Sequence, residues 1–170
     1  MKTKLDYFIA FILISIAAFF ITATITHEEP APKGEVFLPT VNRPQFCVVA
    51  DADTERWGVE KAMRLWSDPR SNVEFVRAGG CRPDATPVFV RVEDPGNCKD
   101  YAGLHGKHST HREIVLNDHC NYAQKNRQSV TLHEFGHAAG VKHSENNDVM
   151  FKQVNGVTQI ADYLYAQTHG

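Results

Sequence analysis

His133-Glu134-Phe135-Gly136-His137-Ala138-Ala139-Gly140-Val141-Lys142-His143 has the form H-E-x-x-H-x-x-G-x-x-H, and each fixed position has its own physical reason. Residues four apart on a helix lie about 400° around it, so His133 and His137 project from one face, a turn apart, and can aim both imidazoles at one ion. Gly140 lets the chain turn sharply off the helix, and three residues later His143 can return to the same ion as a third nitrogen ligand. Three protein ligands leave a fourth tetrahedral position for water, the arrangement of a catalytic rather than a structural zinc. Glu134, rotated about 100° from His133, can reach that water and take its proton. At this chain's own residue frequencies a bare H-E-x-x-H arises by chance in about 3 % of such chains, the five-residue pattern in about 0.01 %. The longer pattern therefore outweighs the bland alternative, a helix whose histidines are solvated or satisfied in the core.

Working outward, apolar residues at helical spacing extend this helix over roughly 122–139, ended by Gly140. Upstream, Phe46-Cys47-Val48-Val49-Ala50 reads as a strand, and Trp57, Ala62, Leu65 and Trp66 predict a helix over about 54–67, stopped by Pro69. Residues 73–77 and 88–92 read as strands, the second with the alternation Val88, Val90, Val92. The Gly- and His-rich stretch 98–111 reads as an edge element plus a loop before a strand over 113–117. A last helix is expected from Thr158, carrying Ile160, Ala161, Leu164 and Tyr165. Strands mixed with helices in this order predict an α+β fold, a mixed sheet backed by helices.

The N-terminus decides the compartment. Lys2 and Lys4 precede an apolar run from Tyr7 to Ile25 that ends at His27-Glu28-Glu29. Nineteen residues at roughly 1.5 Å each just cover a bilayer core, so residues 1–26 are either a signal peptide or a retained membrane anchor. Lysines on one flank and carboxylates on the other put the rest of the chain outside the cytoplasm. Ala23 offers a cleavage point, but Ile21 spoils the A-x-A pattern. Residues 27–45, with Pro30, Pro32, Pro39 and Pro44, read as an extended linker. Residues 46–170 then form one domain. The chain has 18 Lys+Arg against 20 Asp+Glu and no basic block, which argues against nucleic acid as a partner. Nothing in the pattern calls for a second copy, so a monomer is expected. Cys47, Cys81, Cys98 and Cys120 all lie in the exported part, where an even count favours two disulfides. Three pairings are open, and no close C-x-x-C pair suggests a structural zinc site.

The sequence resembles the metzincin metallopeptidases, and among them the matrixins. It carries their eleven-residue zinc signature, Ser144 directly after the third histidine, and Asn147-Asp148-Val149-Met150 where the family has its Met-turn. Ala102-Gly103-Leu104-His105 and Ile114-Val115-Leu116-Asn117-Asp118 match more loosely the substrate-binding edge strand and the strand before the active-site helix. The resemblance implies a twisted mixed sheet of about five strands, a backing helix, an active-site helix and a small C-terminal part. It implies one catalytic zinc ion on His133, His137 and His143, Met150 as an apolar floor beneath it, and a peptide or protein substrate along the edge strand. The pocket beyond the scissile bond should be shaped by Val130, His133 and the segment after Met150. Phe151 and Lys152 stand where some metzincins supply a tyrosine ligand, so three histidines and water are expected. The span between the apolar segment and Phe46 is too short for a propeptide of matrixin length, so zymogen control of the family's kind is not expected. Cys81-Arg82-Pro83-Asp84 resembles the family's cysteine switch but lacks its residue order, so Cys81 reads as a disulfide partner. His105, His108 and His111 read as exposed loop residues rather than a second zinc site, and no acidic loop suits calcium. The expected activity is zinc-dependent endopeptidase. Hydrolysis of a non-protein amide and a catalytically silent binding module are its rivals.

Overall fold

A computed structural model describes residues 43–98 and 101–170. The signal or anchor segment 1–26, and residues 27–42 of the expected linker, lie outside the described residues; Gln45 already belongs to the first strand. Among the described residues no helix is long and apolar enough to cross a membrane.

The strands are β1 Gln45–Ala50, β2 Glu74–Arg77, β3 Thr86–Glu93, β4 Gly103–Lys107 and β5 Arg112–Asn117. They form one sheet in the order β2-β1-β3-β5-β4. All neighbours pair parallel except β4 with β5, which is antiparallel and leaves β4 as an edge strand. The helices are α1 Val59–Trp66, α2 Gln124–Ala138 and α3 Asp162–Tyr165. The expected α+β mixed sheet with backing and active-site helices is therefore present.

Period-two alternation explains which face is covered. Val48 pairs with Val88 and Val90 with Ile114, and all four are buried. Their neighbours Val49 and Phe89 point the other way and are 41% and 43% exposed. The inward row packs against Ala62, Met63 and Trp66 of α1 and Leu132, Phe135 and Ala138 of α2, all in one core. Trp66 Nε1 donates to the Leu132 carbonyl at 2.8 Å, so the polar end of a fully buried indole is satisfied while tying α1 to α2.

Two helices differ from expectation. The helix expected over 54–67 is a 3-10 helix, Ala52–Trp57, followed by α1. Gly58 separates them at φ 74°, a left-handed conformation that ends one helix and opens the next. The helix expected from Thr158 begins only at Asp162. The preceding stretch is irregular, with Asn155 Oδ1 accepting the Val157 N–H at 3.0 Å.

The cysteines pair Cys47–Cys81 and Cys98–Cys120. The first joins β1 to the turn after β2, and the second joins the segment before β4 to the turn after β5.

Candidate metal centre and cleft

Helix α2 supplies two of the three histidines, and its C-terminus directs the third. The Gly140 N–H donates to the His137 carbonyl and the Val141 N–H to the Gly136 carbonyl, both at 2.9 Å. This pair of bonds is a Schellman motif, with Gly140 at φ 88° in the position that needs a left-handed residue. The chain then runs back to bring His143 over the helix. His143 Nε2 lies 3.1 Å from His137 Nε2 and 3.2 Å from His133 Nε2.

Backbone carbonyls fix the two helical imidazoles. His133 Nδ1 donates to Val149 O and His137 Nδ1 to Val141 O, each at 2.8 Å. A proton on Nδ1 leaves a lone pair on Nε2, so the ligand atoms face one another as acceptors. Burial, with the nearby His137 adding to it, pushes the His133 imidazole down to about 4, and burial also lowers His137. Two such lone pairs, with His143 Nε2 3.1 and 3.2 Å from them, fit a cation between the three rings, and neutral imidazole is the form that binds metal. Among the described residues these three form the one group of three or more His, Cys, Asp or Glu whose ligand atoms come together.

Glu134 sits on the next face of α2 and is 6% exposed. Burial pushes its carboxyl up to about 8. A dication nearby favours the ionised form and opposes that shift. The space for Glu134 is made by Gly103 of β4, where a Cβ would stand 2.7 Å from Glu134 Cγ, Glu134 Oε1 and Val130 Cγ1. Gly103 stands in the expected edge strand, where a glycine is the usual signal of such a close approach.

Met150 is fully buried, and its thioether packs on Gly136 between the first two histidines, where a Cβ would overlap the sulfur and come within 2.8 Å of Trp66 Cζ2. The Ser144 N–H bonds the Met150 carbonyl at 3.0 Å, which closes the turn between third histidine and methionine. Asp148 belongs to the expected Met-turn, but its hydrogen bond from Tyr163 of α3 carries no spacing signal in the sequence.

The histidines and Glu134 floor an open cleft of about 420 Å³. Gly103, Leu104 and His105 of β4 form one wall, and Val149 with residues 151–154 forms the other, with Val130 between them. Of the three histidines expected to be exposed in a loop, His105 needs correction, and it lies on the strand that the family resemblance implies. His105 belongs to β4, faces the cleft and has its Nε2 buried without a partner; burial lowers it to about 4. Antiparallel pairing with Ile114 turns it towards α2, and its ring lies 6.2 Å from that of His137. His108 and His111 stack on each other at 4.4 Å, with His111 edge-on to Phe89 on the outer face. The three do not meet.

An edge strand above a three-histidine cleft on a five-strand α+β sheet fits the fold of a metallopeptidase. The chain belongs to the matrixin family, whose pattern it matches over residues 45–163, from the first residue of β1 into α3. No curated protein matches it.

Proposed function

We propose that this protein is an exported zinc-dependent endopeptidase in which His133, His137 and His143 hold the metal and Glu134 is the general base. The observation that carries the reading is the approach of three imidazole Nε2 atoms, 3.1 and 3.2 Å apart, beside a buried carboxylate in an open cleft. When bound there, zinc polarises the scissile carbonyl and makes water a competent nucleophile near neutral pH. An extended peptide pairs its backbone with the free edge of β4, which sets the scissile bond over the cleft floor and sends alternate side chains into it. Glu134, held under Gly103, takes a proton from the attacking water and returns it to the leaving amine. Val130 and the wall after Met150 bound the pocket next to the scissile bond. Two disulfides and the lysine-flanked apolar N-terminus support a site of action outside the cytoplasm.

Glu134→Ala tests the reading, because it removes the base and leaves every ligand. Zinc content should persist while peptide cleavage falls by about 10² to 10⁴-fold. A folded, zinc-loaded Glu134→Ala protein cleaving near the parental rate would rule the mechanism out.

A further inference from the structure

The turn from Ser144 to Met150 closes around the side chain of Asp148, which is 8% exposed. Its Oδ2 accepts hydrogen bonds from Ser144 Oγ at 2.7 Å and from the Tyr163 hydroxyl of α3. Its Oδ1 accepts the Met150 N–H at 2.7 Å. Asn155 Nδ2 donates to the Asp148 carbonyl at 2.6 Å, and Asn146 Nδ2 to the Tyr163 hydroxyl oxygen at 2.9 Å. One carboxylate thus grips the residue next to His143 and both sides of Val149, the residue whose carbonyl takes the His133 Nδ1–H.

Charge makes this more than a turn. None of the ion pairs among the described residues includes Asp148. Three hydrogen bonds offset part of the desolvation of a buried carboxylate, but a buried charge is normally retained where it faces an opposite one. Imidazole ligands contribute no negative charge to balance a divalent cation, and Asp148 is joined to two of the three histidines through short, fully bonded paths.

We propose that Asp148, braced by Tyr163, is a positioning residue and counter-charge for the metal centre: it holds the Ser144–Met150 turn shut so that His143 and the acceptor of His133 stay aligned on one divalent cation. The inference rests on the reading of the three histidines as zinc ligands. Its chemistry is that of an outer-shell partner acting through backbone and hydroxyl groups, which commonly tunes metal affinity by 10-fold or more.

The test compares the full-length chain with Asp148→Asn and Tyr163→Phe. Asparagine keeps the shape and most hydrogen-bonding capacity but removes the charge, and phenylalanine removes one brace. Zinc affinity is read by competition with a chromophoric chelator, and the unfolding midpoint of the zinc-free protein is read separately. Asp148→Asn should weaken zinc by about 10 to 100-fold and Tyr163→Phe by about 3 to 10-fold. A cobalt-substituted Asp148→Asn protein should also show an altered visible spectrum. A merely structural role would lower the zinc-free midpoint and leave the affinity of the folded protein within about twofold, and that result for Tyr163→Phe alone overturns the proposal even if Asp148→Asn fails to fold. A parent chain that binds no zinc would instead overturn the ligand assignment, and this inference with it.

Discussion

Gly103 on β4 and Glu134 on α2 are in backbone-to-side-chain contact so close that a single added methyl at residue 103 would stand 2.7 Å from the glutamate's Cγ and Oε1. Gly103→Ala should therefore push the carboxylate off its position without touching a ligand. Cleavage should fall by roughly 10²-fold, the scale associated with misplacing a catalytic group by about 1 Å, while zinc content is unchanged. Parental kcat/KM in a folded Gly103→Ala protein would mean that Glu134 is not the base or that β4 yields freely.

Gly136 lies within the zinc signature but is an unconstrained position of its pattern, and alanine there would normally favour the helix by about 1 kcal/mol. Here the added methyl meets Met150 Sδ and Trp66 Cζ2, both fully buried, and overpacking costs about 1–3 kcal/mol. Packing should win, so denaturant unfolding of Gly136→Ala should show a net loss. Met150→Leu, a swap of similar volume, should cost under about 1.5 kcal/mol and keep the metal. Loss of zinc in Met150→Leu would show that the sulfur does more than pack.

The disulfides should differ in what they protect. Both close loops of tens of residues, with sequence separations of 34 and 22, so removing either should cost roughly 3–4 kcal/mol. Cys98–Cys120 also anchors a cleft residue, because Cys120 Sγ lies 3.8 Å from the carbonyl of Tyr101, which lines the cleft, and Asn117 Nδ2 holds the Asn97 and Tyr101 carbonyls at 2.9 and 2.8 Å just where the chain enters β4. The Cys98→Ser, Cys120→Ser pair should lose activity beyond its loss of stability; the Cys47→Ser, Cys81→Ser pair should not. Equal activity per folded molecule in both would refute the distinction. A thiol reagent should find no free cysteine in the native protein.

The helix carrying His133 and His137, the strands and the turn at Gly140 are legible because each leaves a periodic or stereochemical mark in the sequence. Val48, Val88, Val90 and Ile114 carry the alternation of a sheet with one covered face, and they are the residues that pack on α1 and α2. The histidine motif likewise reports a helix face and a reversal, both local in sequence. What escaped was set by contacts between distant segments. Gly103 matters through Glu134, and Asp148 matters through Tyr163, fifteen residues away in the chain. His105 ends the stretch expected as the edge strand but also falls among three histidines expected to be exposed in a polar loop; pairing with Ile114 keeps it in the strand and turns it into the cleft. Gly58 splits the helix that the spacing of Trp57, Ala62 and Trp66 predicts, since apolar spacing alone does not register a left-handed residue.

Arg70 gives a pH dependence of known sign. Its guanidinium hydrogen-bonds Asp68 at 2.7 and 2.9 Å and holds that carboxyl below its usual value. A depressed carboxylate contributes stability that is complete above its unfolded value near 3.8 and is lost as pH falls through the lower folded value. Arg70→Ala should therefore be less stable than the parent at pH 6, and the gap should narrow towards pH 2.5 in paired denaturant titrations. A gap that widens on acidification would contradict the assignment.

Gly140 separates two effects that a single substitution confounds. Its φ of 88° disfavours any residue with a Cβ, and that Cβ would also fall 2.7–2.8 Å from the ring of His169. The backbone term is about 1–2 kcal/mol for alanine. The steric term should be the smaller, because His169 is exposed and its ring can swing aside, even though its N–H holds the Ala139 carbonyl at 2.8 Å. Gly140→Ala should thus destabilise the protein by roughly 1–2 kcal/mol and weaken zinc, since any relaxation of φ moves His143. Asparagine tolerates the left-handed region better, so zinc affinity should rank Gly140 above Gly140→Asn above Gly140→Ala. Adding His169→Ala to Gly140→Ala should recover only a minor part of the loss. Chelator competition and denaturant unfolding on the four proteins read both quantities. If the double substitution restores zinc affinity nearly to the parental value, the His169 contact dominates, and the turn does not depend on a left-handed residue for aiming the third histidine.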